Sequence, residues 1–176
     1  MIASYTVATR MENILMIPII GIQNTMATFA GQNMGARQPE RVSKGLGQGV
    51  LVSLLMTAAL CLCQLLGMEL IIRAFKLDAA AAAICRQHLF ASVLSEPIFA
   101  IYFPANGMFQ GEGFHATFYA LMALGLRVVF AYSLYRTAFF GYTAIWWSQA
   151  MAWTLTLVTC YAHFFHGKWK EKSLVS

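Results

Sequence analysis

Glu96 is the residue that most directly invites a chemical reading. It stands in an otherwise apolar stretch, immediately before Pro97. A carboxylate inside a bilayer is costly and therefore defaults to a functional role. The following proline withdraws a backbone donor and leaves a carbonyl free to meet an ion or a polar group. At helical spacing Glu96, Ala100, Phe103, Gly107 and Gln110 share one face, with Pro104 able to bend that register. A carboxylate, an aromatic ring and small residues together suit a wall that binds lipophilic cations. The alternatives are an interfacial carboxylate or a partner for a donor at a helix kink.

Arg127 lies near the middle of a later apolar run. An isolated arginine there costs roughly 3 kcal/mol on insertion scales, so it must pair or face a cavity. Glu96 is its candidate partner, and a structural counter-ion is the favoured role over substrate binding. In the first apolar run Thr9, Glu12, Asn13 and Gln23 fall on one side, with Arg10 elsewhere. They read either as a polar stripe facing a cavity or, the favoured reading, as a headgroup-level cluster that leaves only Gln23 and Asn24 deep. Pro18 and Gly21 predict a bend midway. Glu96, Phe103, Gln110, Gln23, Asn24 and Arg127 are thus the candidates for a substrate or ion path. No catalytic residue is expected.

Other reactive side chains fit packing better. His163 and His166 have one-turn spacing that could chelate a metal, but no carboxylate lies nearby, so no metal site is expected; His88 and His115 read as isolated near helix ends. The four cysteines, Cys61, Cys63, Cys85 and Cys160, lie in apolar stretches without paired C-x-x-C spacing. The ten methionines suit helix packing or a soft cavity lining. H-E-x-x-H, G-x-S-x-G and phosphate-loop sequences do not occur, so the chain reads as no enzyme, needing no cofactor.

The elements that position these residues are membrane helices. Hydrophobic residues make up 59% of the 176 and charged residues 11%, against about a quarter charged in a soluble domain. The mean hydropathy is +0.62. A net charge of +5 gathers in short breaks and the tail, which topology and anionic headgroups explain and nucleic acid does not. A spanning helix needs about 20 apolar residues. Five runs meet that length, near Thr6–Met34, Val42–Ile72, Ala80–Met108, Ala116–Tyr135 and Tyr142–Phe165. They are continuous and rich in Leu, Met and Ala, so strands are not expected. The fold class is all-α, a polytopic bundle of about five spanning helices over 1–166, followed by a basic tail, 167–176.

The break at Gly31–Lys44, GQNMGARQPERVSK, sets the orientation. Gly31 and Gly35 are expected to allow the turn, and Pro39 to stop helix propagation. Arg37, Arg41 and Lys44 form a cluster of the kind retained in the cytoplasm. Four crossings separate it from the tail with Lys168, Lys170 and Lys172, so five helices put both on one side and make the C-terminus cytoplasmic. Arg73, Lys76 and Arg136 fall opposite, partly offset by Glu69 and Asp78. Tyr135, Phe139, Phe140, Tyr142 and Trp169 read as an interfacial aromatic belt.

The same break carries a family resemblance. Gly31, Gln32, Asn33, Gly35, Ala36 and Arg41 resemble the loop joining the second and third helices of each lobe in the multidrug and toxic compound extrusion (MATE) transporters. The Glu96–Pro97 pair, followed by Gly111 and Gly113, resembles a later helix of the same lobe, and a basic residue at the place of Arg127 is similar to the family. Gly141 with T-A-I-W-W resembles the opening of the last helix, Ala144 standing where the family has a second glycine.

The resemblance implies part of a C-terminal lobe, from its second helix onward, in a fold of two six-helix lobes. A truncated product, a split reading frame or a mis-called start would each give such a piece. It implies export of drugs or amphipathic cations in exchange for protons or sodium ions, from a multi-pass position in the cell membrane. It also implies that the N-terminal lobe is required and that this chain alone is inactive, since it would turn a polar cavity face towards lipid. A flippase of lipid-linked sugars, or a non-transporting remnant, are the alternative readings.

Overall fold

The computed structural model describes residues 2–111, 114–136, 144–167 and 169, with side chains from residue 6 in the first helix and from 117 in the fourth. Five helices account for almost all of them: α1 Ile2–Gly35, α2 Pro39–Ala74, α3 Ala79–Gln110, α4 Phe114–Tyr135 and α5 Ala144–His166. Each expected run becomes one helix. α1 passes through Pro18, and α3 through Pro97 and Pro104, without interruption. α1 to α4 are long and apolar enough to cross a membrane. α5 has 23 residues, but Trp146, Trp147, Gln149, Trp153, Tyr161 and His163 dilute its apolar character.

The turn after α1 is tighter than its sequence suggests. Neither Gly31 nor Gly35 makes it; both are helical, and Arg37 adopts φ 56° instead. The Arg37 N–H donates to the Met34 carbonyl at 2.9 Å and the Gln38 N–H to Asn33 at 2.8 Å, which satisfies the final carbonyls of α1. Pro39 does not end a helix but opens α2, where its missing N–H costs nothing. Lys76 repeats the device after α2, with φ 48°. Asp78 then caps α3, accepting from the Ala81 N–H at 2.7 Å.

α3 is the hub, packing on all four other helices. Its apolar window is 56% buried, against 11% for α4, which presents Leu121, Leu124 and Val128 outward. Two apolar cores hold the ends of the bundle. One, at the Gly31–Lys44 end, includes Met26, Met34, Val42, Tyr102, Met108 and Phe109. The other, at the opposite end, gathers Val7, Ala8, Ile72, Ala82, Cys85 and Leu89. Polar groups occupy the middle. There Gln64 of α2 donates to the Leu89 carbonyl at 3.2 Å and to Ser92 Oγ at 3.0 Å. Interhelical hydrogen bonds of this kind contribute about 1 kcal/mol within a membrane. Gln64→Leu is therefore expected to lower stability by about 1 kcal/mol, which thermal unfolding of the purified protein would register.

One aromatic expectation changes. Trp169 is not an interfacial anchor: it is fully buried, stacked on Phe164 at 5.4 Å, with its indole N–H donating to the Phe164 carbonyl at 2.9 Å. Gly167, at φ 76°, turns the chain back to allow this. Phe139, Phe140, Tyr142, Gly113 and Gly141, and the tail lysines 168, 170 and 172, lie outside the described residues, as does the side chain of His115.

Candidate functional site

α1 and α3 run parallel, and their closeness shapes the interior. At Gly107 the backbone of α3 lies directly against the Gln23 carbonyl of α1, and Gly111 approaches Ala27 and Gly31 in the same way. Together with α4 and α5 the two helices line two cavities. α2 lines neither of them.

The first cavity, of about 270 Å³, lies towards the α1 N-terminal end. From α1 it takes Thr9, Glu12 and Asn13, and from α3 His88, Ser92 and Glu96. Arg127 of α4 and Trp146, Gln149 and Trp153 of α5 close it. The side of α1 that carries Thr9, Glu12 and Asn13 thus faces a cavity, and Arg10 lies away from it, in a surface pocket with Phe75 and Leu77. Glu96 is 1% exposed, and its Oε2 has no hydrogen-bond partner among the described residues. Arg127 lines the same cavity but forms no ion pair with Glu96 there.

His88 is not isolated at a helix end. Its Nε2 lies 3.0 Å from Glu12 Oε1, and its ring stacks on Trp146 at 4.8 Å with planes 17° apart. The pair ties α1 to α3 and α5 at the rim of the cavity. One hint of this was present in the spacing, since His88 lies eight residues before Glu96 and so near the same helix face. Its partners on α1 and α5 could not be read from spacing.

The second cavity, of about 560 Å³, lies towards the Gly31–Lys44 end. Gln23, Phe103 and Gln110 meet here, joined by Tyr102 and Asn106 of α3 and Thr117 of α4. Asn24 is exposed on α1 and lines neither cavity. Gly107 and Ala100 serve packing instead: Ala100 is fully buried, and Gly107 holds α1 close. Between the two spaces stands Trp153, the residue that lines both. It meets Phe99 at 5.4 Å, Tyr102 at 5.0 Å and Phe103 at 5.8 Å.

At the α4–α5 junction His163 stacks on Phe109 at 4.9 Å and shares a 2.7 Å hydrogen bond with Tyr119, while His166 is exposed. The two histidines therefore point to different surroundings. Cys61, Cys85 and Cys160 are buried, and Cys63 is exposed.

Gly31, Gln32, Asn33 and Gly35 form the last turns of α1, Ala36 begins the turn and Arg41 stands in the first turn of α2. Arg41 donates to Gln38 Oε1 at 3.0 Å, and buried Asn33 donates to the Phe29 carbonyl at 2.7 Å. The MatE family model matches residues 1–133, a stretch that contains this turn and both Glu96 and Arg127. The chain belongs to the MatE family. Its fold is that of a solved relative, the crystal structure of MATE in complex with MaL6, at a TM-score of 0.81 and 17% identity. The match covers 97% of this chain and 40% of that one, so the chain spans well under half of the relative's length. A search of curated proteins found no match. The resemblance read from Gly31 to Arg41 is thus met by the family model and by the fold. With four helices apolar enough to span, this is a multi-pass membrane protein.

Proposed function

We propose that this chain forms part of a MATE-type antiporter, which exports amphipathic or cationic small molecules in exchange for protons or sodium ions across the cell membrane. The observation that carries the reading is Glu96, a carboxylate buried at the centre of α3 with one oxygen unpartnered, facing a small cavity with Glu12 and Arg127. A cavity of about 270 Å³ lies just below the usual range of about 300–1,000 Å³ for drug-sized ligands. It suits a coupling ion better than the exported molecule. Glu96 alternates between binding and releasing that ion, and Arg127 balances the local charge.

The basic cluster Arg37, Arg41 and Lys44 supports a cytoplasmic position for its end of the bundle and, with it, for the C-terminus. Transport requires the other lobe, because alternating access is the rocking of two repeats about a shared site. Dye efflux from proteoliposomes holding this chain alone would overturn that requirement. Within the two-lobed protein, Glu96→Gln is expected to reduce gradient-driven efflux to the level seen without a gradient, with Glu96→Asp retaining part of it. Unchanged efflux in Glu96→Gln removes Glu96 from the ion path.

A further inference from the structure

The second cavity differs in chemistry from the first. None of the described residues lining it is charged. Three carboxamides, Gln23, Asn106 and Gln110, share its wall with the hydroxyls of Tyr102 and Thr117. Two of these side chains are nine-tenths buried or more and carry an unpartnered oxygen: Asn106 is 6% exposed and Tyr102 1%, and neither Asn106 Oδ1 nor Tyr102 Oη has a hydrogen-bond partner among the described residues. Leaving such groups unsatisfied is costly, and a ligand offering a donor and an acceptor would satisfy them once the two side chains turned into the cavity they line. The rings of Tyr102, Phe103 and Trp153, packed edge to face and tilted against one another, supply an apolar aromatic wall beside them. At about 560 Å³ the space falls within the drug-sized range.

We infer that this chamber is a binding site for uncharged aromatic carboxamides and related planar hydrogen-bonding molecules, separated by Trp153 from the carboxylate chamber. An amide ligand both donates and accepts, as the Asn106 and Gln110 side chains do, while its ring lies on the aromatic wall. A permanent cation would gain ring contacts but would find no counter-charge in the wall, so it is disfavoured relative to a neutral ligand of equal size. That the ligand is cargo rests on the transport reading above; that it binds does not.

The test is equilibrium binding of carbamazepine, a neutral tricyclic carboxamide, to the purified chain in lipid nanodiscs, against empty nanodiscs. Saturable binding is expected, weakened about tenfold by Asn106→Leu, weakened also by Gln110→Leu, and unchanged by Asn24→Ala, at a position that lines neither cavity. Gln110 is exposed, so its variant decides the matter should Asn106→Leu not fold. Asn106→Asp should raise affinity for tetraphenylphosphonium while lowering it for carbamazepine. No saturable binding, indifference to both leucine variants, or an equal loss in Asn24→Ala overturns the assignment. The assay uses no gradient, so its failure is distinct from a failure of the Glu96→Gln efflux experiment.

Discussion

Gly107→Ala is expected to destabilise the bundle by about 2–3 kcal/mol, lowering its melting temperature in detergent. A methyl group there would press on the Gln23 carbonyl oxygen, 2.9 Å from its carbon and 3.1 Å from its Cα. The obstacle is backbone, which no rotamer change can move aside. Alanine is the better helix former by about 1 kcal/mol, but that gain is smaller than the cost of pushing α1 off α3. The appropriate controls are Gly47→Ala and Gly125→Ala, where an added Cβ meets nothing within 4 Å. Both are expected to equal or exceed the parent in stability. If Gly107→Ala melts with these controls, the close approach of α1 and α3 is refuted, and with it the enclosure of both cavities.

The contrast between Gly107 and Gly47 marks where sequence stops being informative. All five helices were legible, because apolar runs longer than a bilayer interrupted by short polar breaks admit few other arrangements. Glu96 was legible for the same reason in reverse, being a carboxylate where the solvent is hydrocarbon. Which helices abut was not legible. The contact of Gly107 with Gln23 joins residues far apart in the chain, and glycines at open positions look identical in sequence. His88 reads as isolated until α1 brings Glu12 to it and α5 brings Trp146. Trp169 reads as a membrane anchor because tryptophan favours interfaces, but its burial depends on a single left-handed turn at Gly167.

The division of the candidate residues into two groups was likewise hidden. Glu96, Phe103 and Gln110 lie on one helical face by spacing, yet Glu96 opens on one cavity and the other two on the next. What separates them comes from α5. Helical periodicity assigns a residue to a side of its own helix, and a wall inserted from another helix does not register in that pattern.

That wall gives the second large expected effect. Trp153→Ala removes the ring that contacts Phe99, Tyr102 and Phe103 together. Truncating a packed tryptophan costs about 3 kcal/mol, towards the lower end for a half-buried one. Helix association within lipid rests largely on such van der Waals contact, so the loss falls on the junction of α3 and α5. Because Trp153 lines both cavities, its truncation is also expected to join them. In the proposed antiporter, an ion at Glu96 would then have an open route past Tyr102 towards the Gly31–Lys44 end. The expected result in proteoliposomes of the two-lobed protein is dissipation of an imposed ion gradient without substrate. Trp153→Phe keeps a ring in place and should restore both the melting temperature and the ion barrier in large part. A Trp153→Ala protein that melts lower yet holds its gradient would assign Trp153 to packing alone, and one that leaks while Trp153→Phe does not would make it the partition between ion and substrate.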